Sequence, residues 1–158
     1  MITSLSDIEI LAIYESSVTF RKIIESVDSN KWGRDGAFRK FPYFPQNCCV
    51  ITSHLLARYL IRYCEVNRAV SIVHGAHPKD GWHFWVEVDD LVIDITSDQF
   101  DESDGKQVIV GATNWHNKCC ILDKHTATYE FTDVEEGCDY ADHTQLEYAY
   151  KQLVCGKG

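Results

Sequence analysis

Apolar side chains recur at helical spacing in three separate parts of the chain. These parts are residues 6–28, residues 48–65 and residues 142–154. Ser6 and Glu9 form a capping box at the start of the first part, which predicts that a helix begins there. Residues 30–47 contain two glycines and two prolines and follow no period, so they predict a loop.

Five shorter segments in the middle of the chain have the length and alternation of strands. They cover residues 69–74, 82–88, 91–96, 107–112 and 126–131. Asp89 and Asp90 predict a tight turn that joins the second and third of these strands into a hairpin. Helices combined with a run of antiparallel strands predict a single α+β domain that spans residues 1–158.

The predicted hairpin has an apolar face and a mixed face. The apolar face carries Phe84, Val86, Val88, Leu91, Ile93 and Ile95, and the mixed face carries His83, Trp85, Glu87, Val92, Asp94 and Thr96. With a turn at residues 89–90, Trp85 lies opposite Asp94, and His83 becomes the diagonal neighbour of Asp94. A carboxylate there can fix the imidazole tautomer and leave the other nitrogen free as a base. The same pattern also fits an exposed sheet face with a simple contact between the two side chains.

A pair of cysteines opens the second predicted helix. Cys49 shares one helical face with Ser53, Leu56 and Leu60, which places it in the first turn of that face. Unpaired backbone N–H groups and the helix dipole favour a thiolate at this position, and the same N–H groups can hold an oxyanion. The alternative is that Cys48 and Cys49 are small buried hydrophobic residues, a common role for cysteine.

Three segments of the chain resemble a known superfamily of cysteine enzymes. The segments CCVITSHLLARYL, HFWVEVDDLVIDIT and DQF are similar to those of papain-like enzymes of the transglutaminase-like branch. They also resemble the leader peptidases of lasso-peptide pathways, and small uncharacterised bacterial and phage proteins with an HAWLE…DITADQF signature. The resemblance covers roughly residues 41–116, about half of the chain.

The resemblance implies a papain-like or transglutaminase-like fold and a catalytic triad. Cys49 is then the nucleophile, His83 the general base and acid, and Asp94 the carboxylate that orients the imidazole. The implied reaction is acyl transfer on an amide bond of a protein or peptide substrate, without a cofactor. Peptidase, deamidase and transglutaminase activity all stay open, as does the setting of a toxin, an effector, a processing enzyme or a phage protein.

Three positions near the triad depart from the pattern of these relatives. Val50 and Ile51 stand where glycine and aspartate are frequent, and Phe84 stands where a small residue is usual. The changes at residues 50 and 51 alter the start of the helix that carries the nucleophile. A second interpretation is therefore a catalytically inactive interaction module that retains the fold.

Other side chains near the triad are candidates for supporting roles. Gln46 lies three residues before Cys49, where its side chain can donate to an oxyanion or simply bond within the loop. Trp85, together with Trp82, can form an aromatic cleft wall or serve in packing. His74 and His77 border a loop and can line a cleft or lie on the surface.

The composition narrows the classes of partner and compartment. A formal net charge of −9 argues against nucleic acid as a partner, and no apolar run approaches the length of a membrane span. The start MITSLSDIEI lacks a secretory signal, and seven cysteines cannot all pair within one chain. We therefore expect a reduced, cytoplasmic protein, or an effector that is delivered from the cytoplasm.

One further cluster has the residue types of a zinc site. It comprises His116, Cys119, Cys120, Cys138 and His143. Their spacing matches no familiar zinc module, so we expect no metal.

Overall fold

The computed structural model describes residues 4–27, 44–100, 106–111, 113–134 and 143–154. The helices are α1 (Asp7–Glu25), α2 (Cys49–Arg62), α3 (Asn114–Asn117) and α4 (His143–Val154). The strands are β1 (Val70–His77), β2 (Gly81–Val88), β3 (Leu91–Asp94), β4 (Ile109–Val110) and β5 (Cys120–Thr126). Single turns of 3-10 helix cover Ser97–Gln99 and Phe131–Asp133. The predicted α+β class is confirmed.

The three long helices form where the apolar spacing predicts them. The capping box at the start of α1 is present, since the Ser6 backbone N–H donates to Glu9 Oε2 at 2.7 Å and the Glu9 N–H donates to Ser6 Oγ at 3.2 Å. Helix α2 follows a turn at residues 44–47, which belongs to the predicted loop. Residues 30–43 of that loop lie outside the described residues.

The strands form one five-stranded antiparallel sheet in the order β4-β3-β2-β1-β5. The predicted hairpin between β2 and β3 is confirmed, because Val88 pairs with Leu91 across the turn. Asp89 takes the left-handed backbone conformation that a tight hairpin turn needs, with φ of 51°. Pairing of β2 with β3 ends at Val86 and Ile93, so these two strands are not hydrogen-bonded to each other beyond that point.

The strand predicted at residues 126–131 is wrong. The edge strand β5 instead covers Cys120–Thr126, and residues 131–133 form a 3-10 turn. Most side chains of β5 are exposed, so the strand is held by backbone pairing with β1 and shows no alternation of apolar and polar residues. The aromatic side chain of Phe131 made the later segment look like a strand, but it anchors the 3-10 turn in the core.

The remaining strand predictions are confirmed with different ends. Strand β1 extends to His77, β3 ends at Asp94, and β4 is reduced to the pair Ile109–Val110. The short β4 pairs with β3 through Ile93 with Val110 and Asp94 with Ile109, which makes β4 the second edge of the sheet.

Both faces of the central sheet are covered. Helices α1, α2 and α4 pack their apolar side chains on the face that carries Val86, Val88 and Ile93, as the hairpin pattern predicts. The opposite face holds a smaller cluster of Val73, Trp85 and Val92. The alternative of an exposed sheet face is therefore wrong, because His83 and Asp94 on that side are 0% and 1% exposed.

Among the described residues, no helix is both long enough and apolar enough to cross a membrane.

Candidate active site

His83 and Asp94 meet at the open end of the hairpin, just beyond its last paired residues. His83 Nε2 lies 2.7 Å from Asp94 Oδ2, so the diagonal contact expected from the register is present. Burial of a carboxylate costs free energy unless partners replace its water. His83 is the partner that the strand sequence supplies for Asp94.

Asp94 has a full set of hydrogen-bond donors within the protein. Its Oδ1 accepts from the Thr96 backbone N–H at 2.9 Å, and its Oδ2 also lies 2.8 Å from His116 Nε2. Burial alone would raise the pKa of Asp94, but the charge of His83 and the hydrogen bonds from both histidines outweigh it. The pKa of Asp94 is therefore held well below its usual range, and the carboxylate is ionised at neutral pH.

The environment of His83 favours its charged form. Burial lowers the pKa of His83, but the adjacent Asp94 carboxylate, with a smaller contribution from the Cys49 thiol, raises it to about 10. An imidazolium at neutral pH can stabilise a thiolate beside it.

Cys49 is the first residue of α2, and its thiol lies close enough to the His83 imidazole to contribute to the raised pKa of His83. Because Nε2 of His83 faces Asp94, Nδ1 is the nitrogen left for the thiol. Cys48 has a different environment: it is fully buried, and its Sγ donates to the Gln46 carbonyl at 3.3 Å. The structure thus brings Cys49, His83 and Asp94 together and sets the neighbouring cysteine apart.

Aromatic rings enclose the imidazole of His83. Phe100 and Trp115 meet it edge to face, with ring centroids 4.9 Å and 5.4 Å away. Trp115 is itself fixed, since its Nε1–H donates to Asp80 Oδ2 at 2.8 Å. These rings exclude water from the His83–Asp94 contact, which strengthens the electrostatic attraction between the two groups.

Trp85 does not form the cleft wall that the sequence left open. It is 2% exposed and lies across Gly75 of β1, where an added Cβ would come within 2.7 Å of Trp85 Cζ3. The packing alternative therefore holds for Trp85. The other tryptophan of β2, Trp82, is 74% exposed and lies edge-on to His74.

His74 and His77 have structural contacts. The His74 ring stacks on Phe84 with centroids 4.1 Å apart. His77 is buried, and its Nδ1 accepts from the backbone N–H groups of Lys79 and Asp80, which closes the turn between β1 and β2. Neither observation points to a cleft.

Gln99, rather than Gln46, supplies the amide side chain at the site. Gln46 is exposed, and its contact near the helix start is made by its backbone carbonyl. Gln99 Nε2 lies 3.2 Å from His83 Nδ1, the nitrogen that is turned away from Asp94. Its only sequence signal is its place in the segment DQF, which follows the strand of Asp94.

An arginine on α1 fixes the turn that carries Gln99. Arg21 makes a bidentate ion pair with Asp98, with both N–O distances at 2.7 Å. The same guanidinium donates to the carbonyls of Ile95 at 2.8 Å and Gln107 at 2.9 Å. Arg21 is 5% exposed, so these bonds replace its water and tie α1 to the loop beside the triad. Sequence reasoning missed this residue because its partners are distant in the chain.

Two of the five candidate zinc ligands, His116 and Cys119, have other contacts. His116 bonds to Asp94, and Cys119 Sγ lies 3.6 Å from the Trp115 carbonyl. In the part of the chain that the structure describes, no three His, Cys, Asp or Glu side chains are grouped to hold a metal. Cys138 lies outside the described residues.

An open groove of about 750 Å³ lies between α1 and the edge strand β4. Its walls include Tyr14, Val18 and residues 106–111. The groove contains none of the three triad residues, and size alone does not outweigh the convergence of a thiol, an imidazole and a carboxylate elsewhere.

Comparison with family models, with curated proteins and with solved structures found no match to this chain.

Proposed function

We propose that this protein is a cysteine-dependent acyl-transfer enzyme that acts on amide bonds through Cys49, His83 and Asp94. One observation carries the proposal: a buried imidazole holds a carboxylate on Nε2 and has the thiol of Cys49 close beside it. Cys49 is the first residue of α2, and the unpaired backbone N–H groups at a helix start favour a negative charge. The resemblance of the matching segments to papain-like and transglutaminase-like enzymes supports the same reading, and we extend the proposal to that fold.

The first chemical step follows from the arrangement of these groups. The Cys49 thiolate attacks the acyl carbon of an amide, and a carbon–sulfur bond forms as the carbonyl oxygen becomes an oxyanion. Backbone N–H groups at the start of α2 can hold that oxyanion. The His83 imidazolium then gives its Nδ1 proton to the leaving amine as the carbon–nitrogen bond breaks.

A second nucleophile completes the reaction. Water or an amine loses a proton to His83 and attacks the thioester, which releases the acyl group and restores the thiol. Water gives hydrolysis or deamidation, and an amine gives transamidation. The substrate is a protein or peptide, as the resemblance implies. No step requires a cofactor, and a reducing cytoplasm is the setting that fits a thiol nucleophile.

Acylation of the protein by an activated ester tests this proposal. A p-nitrophenyl acyl ester should transfer its acyl group to Cys49, detected as a mass increase that peptide mapping assigns to that residue. Cys49→Ala should abolish the adduct, whereas Cys48→Ala should retain it, because Cys48 is fully buried and its Sγ donates to the Gln46 carbonyl. Unacylated wild-type protein, or an adduct that survives Cys49→Ala, would favour the inactive interaction module.

The type of reaction can be read from the same protein with peptide substrates. Release of ammonia from a glutamine peptide indicates a deamidase, and incorporation of a labelled primary amine indicates a transglutaminase. Cleavage of the backbone indicates a peptidase. Each activity should disappear in His83→Gln, which removes the base.

A further inference from the structure

His116 is a second imidazole in contact with Asp94. Its Nε2 lies 2.8 Å from Asp94 Oδ2, the same oxygen that lies 2.7 Å from His83 Nε2. One carboxylate oxygen therefore serves two imidazoles. His116 is 5% exposed, so its contact with Asp94 is buried and not exchanged with water.

The orientation of His116 is fixed from its other side. Its Nδ1 lies 2.7 Å from Thr113 Oγ1, and the Thr113 hydroxyl also accepts the His116 backbone N–H at 3.2 Å. The rings of Trp85 and Trp115 meet the imidazole edge to face, at centroid distances of 5.1 Å and 5.2 Å. Whether neutral with its proton on Nε2 or charged, His116 donates from Nε2 to Asp94.

A second donor on a carboxylate oxygen weakens the hold of that oxygen on the first. The negative charge of Asp94 is divided between two N–H groups, and less of it acts on His83 than in an isolated pair. The structure therefore sets the strength of the His83–Asp94 contact through a residue that touches neither the thiol nor the imidazole of His83.

We propose that His116 is a positioning residue that shares the Asp94 carboxylate and thereby moderates how strongly Asp94 holds a proton on His83. The proposal deepens the proposed function and rests on it. An imidazolium that is bound too tightly cannot give its proton to a leaving amine, so this sharing keeps His83 useful both as a base and as an acid.

Within the described part of the chain, few other titratable groups face His83. Cys49 on α2 and Asp94 on β3 contact it directly, and His116 and Cys119 lie next to Asp94. Burial, followed by Asp94 and Asp80, raises the pKa of Cys119 to about 11, so this thiol carries no charge at neutral pH. Among the residues that the structure describes, the other groups recorded around the ring are aromatic or, in Gln99, an uncharged amide.

A matched pair of variants separates the two bonds of His116. His116→Gln places an amide N–H near the position of Nε2 and keeps a donor to Asp94. His116→Asn places it near Nδ1 and keeps the Thr113 contact but loses Asp94. Both substitutions introduce a neutral amide, so they share any general cost of replacing the imidazole.

The readout is the titration of His83 followed by nitrogen-15 NMR of its imidazole. The Cys49→Ala background removes the thiol, so the measurement does not depend on any enzymatic activity. His116→Asn should raise the pKa of His83 by about one unit, which corresponds to about 1.4 kcal/mol, because Asp94 is no longer shared. His116→Gln should leave it within about a third of a unit.

The sign of the shift distinguishes this role from a merely structural one. A loosened site would admit water and move the pKa of His83 down, toward its ordinary value. An unchanged or lowered pKa in folded His116→Asn protein overturns the inference. An upward shift in both variants also overturns it, because the shift would then not depend on the bond to Asp94.

Acylation of Cys49 in the otherwise unchanged protein tests the proposed function separately. If His116→Asn raises the pKa of His83 but wild-type Cys49 is not acylated, the role of His116 is supported and the proposed acyl-transfer activity is rejected. If Cys49 is acylated but the pKa of His83 does not rise in His116→Asn, the acyl-transfer activity is supported and the role of His116 is rejected.

Discussion

Asp94 is the residue on which the candidate site depends. It lies in an apolar strand, is 1% exposed, and accepts hydrogen bonds from two histidines and the Thr96 backbone. The contact with His83 could be predicted from sequence, because period two and a two-residue turn determine which side chains are neighbours. The contacts of His116 and Gln99 could not, because they depend on where the chain returns after β3.

Replacement of Asp94 by asparagine should slow the chemistry of Cys49 and leave the protein folded. The amide is nearly isosteric, but it carries no charge and cannot favour the His83 imidazolium. Alkylation of Cys49 near pH 7 should fall by a factor of ten or more, on the order of the smaller triad effects. The rate is measured with iodoacetamide and peptide mapping.

Asp90→Asn is the matched control for this variant. Asp90 lies at the tip of the same hairpin with a fully exposed side chain, and the change removes the same charge from the surface. Its alkylation rate should equal that of wild type. If Asp94→Asn lowers the melting temperature yet alkylates at the wild-type rate, Asp94 has a structural role only.

The same pair of residues sets a pH window for stability. The raised pKa of His83 contributes stability that is complete below about pH 6.5, the unfolded value, and is lost as the pH rises through the folded value. The lowered pKa of Asp94 contributes stability that is complete above about pH 4 and is lost below it. The difference in melting temperature between wild type and Asp94→Asn should therefore be largest between about pH 4 and pH 6.5. A difference that keeps growing from pH 7 to pH 9 contradicts this assignment.

At the scale of elements, α1 supports the site from a distance. Arg21 joins α1 to the turn that follows β3, and Phe44 packs its ring 5.0 Å from the guanidinium. The helix itself could be predicted from its apolar spacing and its capping box. Its role could not, because an arginine on a helix normally faces solvent and nothing near it in sequence marks a buried partner.

Arg21→Gln should destabilise the protein and loosen the turn of Gln99. The change leaves Asp98 and two carbonyls without their donor, and loss of one partner of a buried ion pair costs about 3 kcal/mol. Chemical denaturation measures the loss. Lys22→Gln, which removes the same charge from the exposed neighbouring position, should change stability by less than about 0.5 kcal/mol. Equal losses of stability in the two variants would show that the bonds of Arg21 to Asp98 and the two carbonyls do not stabilise the protein.

The contact between β1 and β2 depends on a glycine. An added Cβ at Gly75 would come within 3 Å of the Trp85 ring, so Gly75→Ala should cost about 1–3 kcal/mol by overpacking. Trp85→Phe in the same protein should recover part of the loss, because the smaller ring leaves room for the methyl group. Additive effects of the two substitutions, measured by denaturation, would argue against this close contact.

At the scale of the whole molecule, both faces of the sheet are covered. The face packed by α1, α2 and α4 could be predicted, because those helices and the hairpin carry regular apolar patterns. Burial of the second face could not. It depends on α3, a helix of only four residues, and on the aromatic rings of Phe100 and Trp115. The edge strand β5 was also missed, since backbone pairing leaves little trace in the sequence.

A thiol nucleophile requires that one of the seven cysteines be set apart by its surroundings. Cys49 begins a helix and contacts His83, Cys48 is fully buried, and burial raises the pKa of Cys119 to about 11. Cys48 serves as the internal control, because it is adjacent in sequence, fully buried, and donates from Sγ to the Gln46 carbonyl.

The most direct test is the rate at which each cysteine reacts with iodoacetamide from pH 5 to pH 9, resolved by peptide mapping of the folded protein. We predict that Cys49 reacts first at neutral pH and faster than free cysteine, and that its advantage persists at mildly acidic pH, where the His83 imidazolium is fully formed. Equal labelling of Cys48 and Cys49, or a Cys49 rate no faster than that of free cysteine at any pH, would contradict the account.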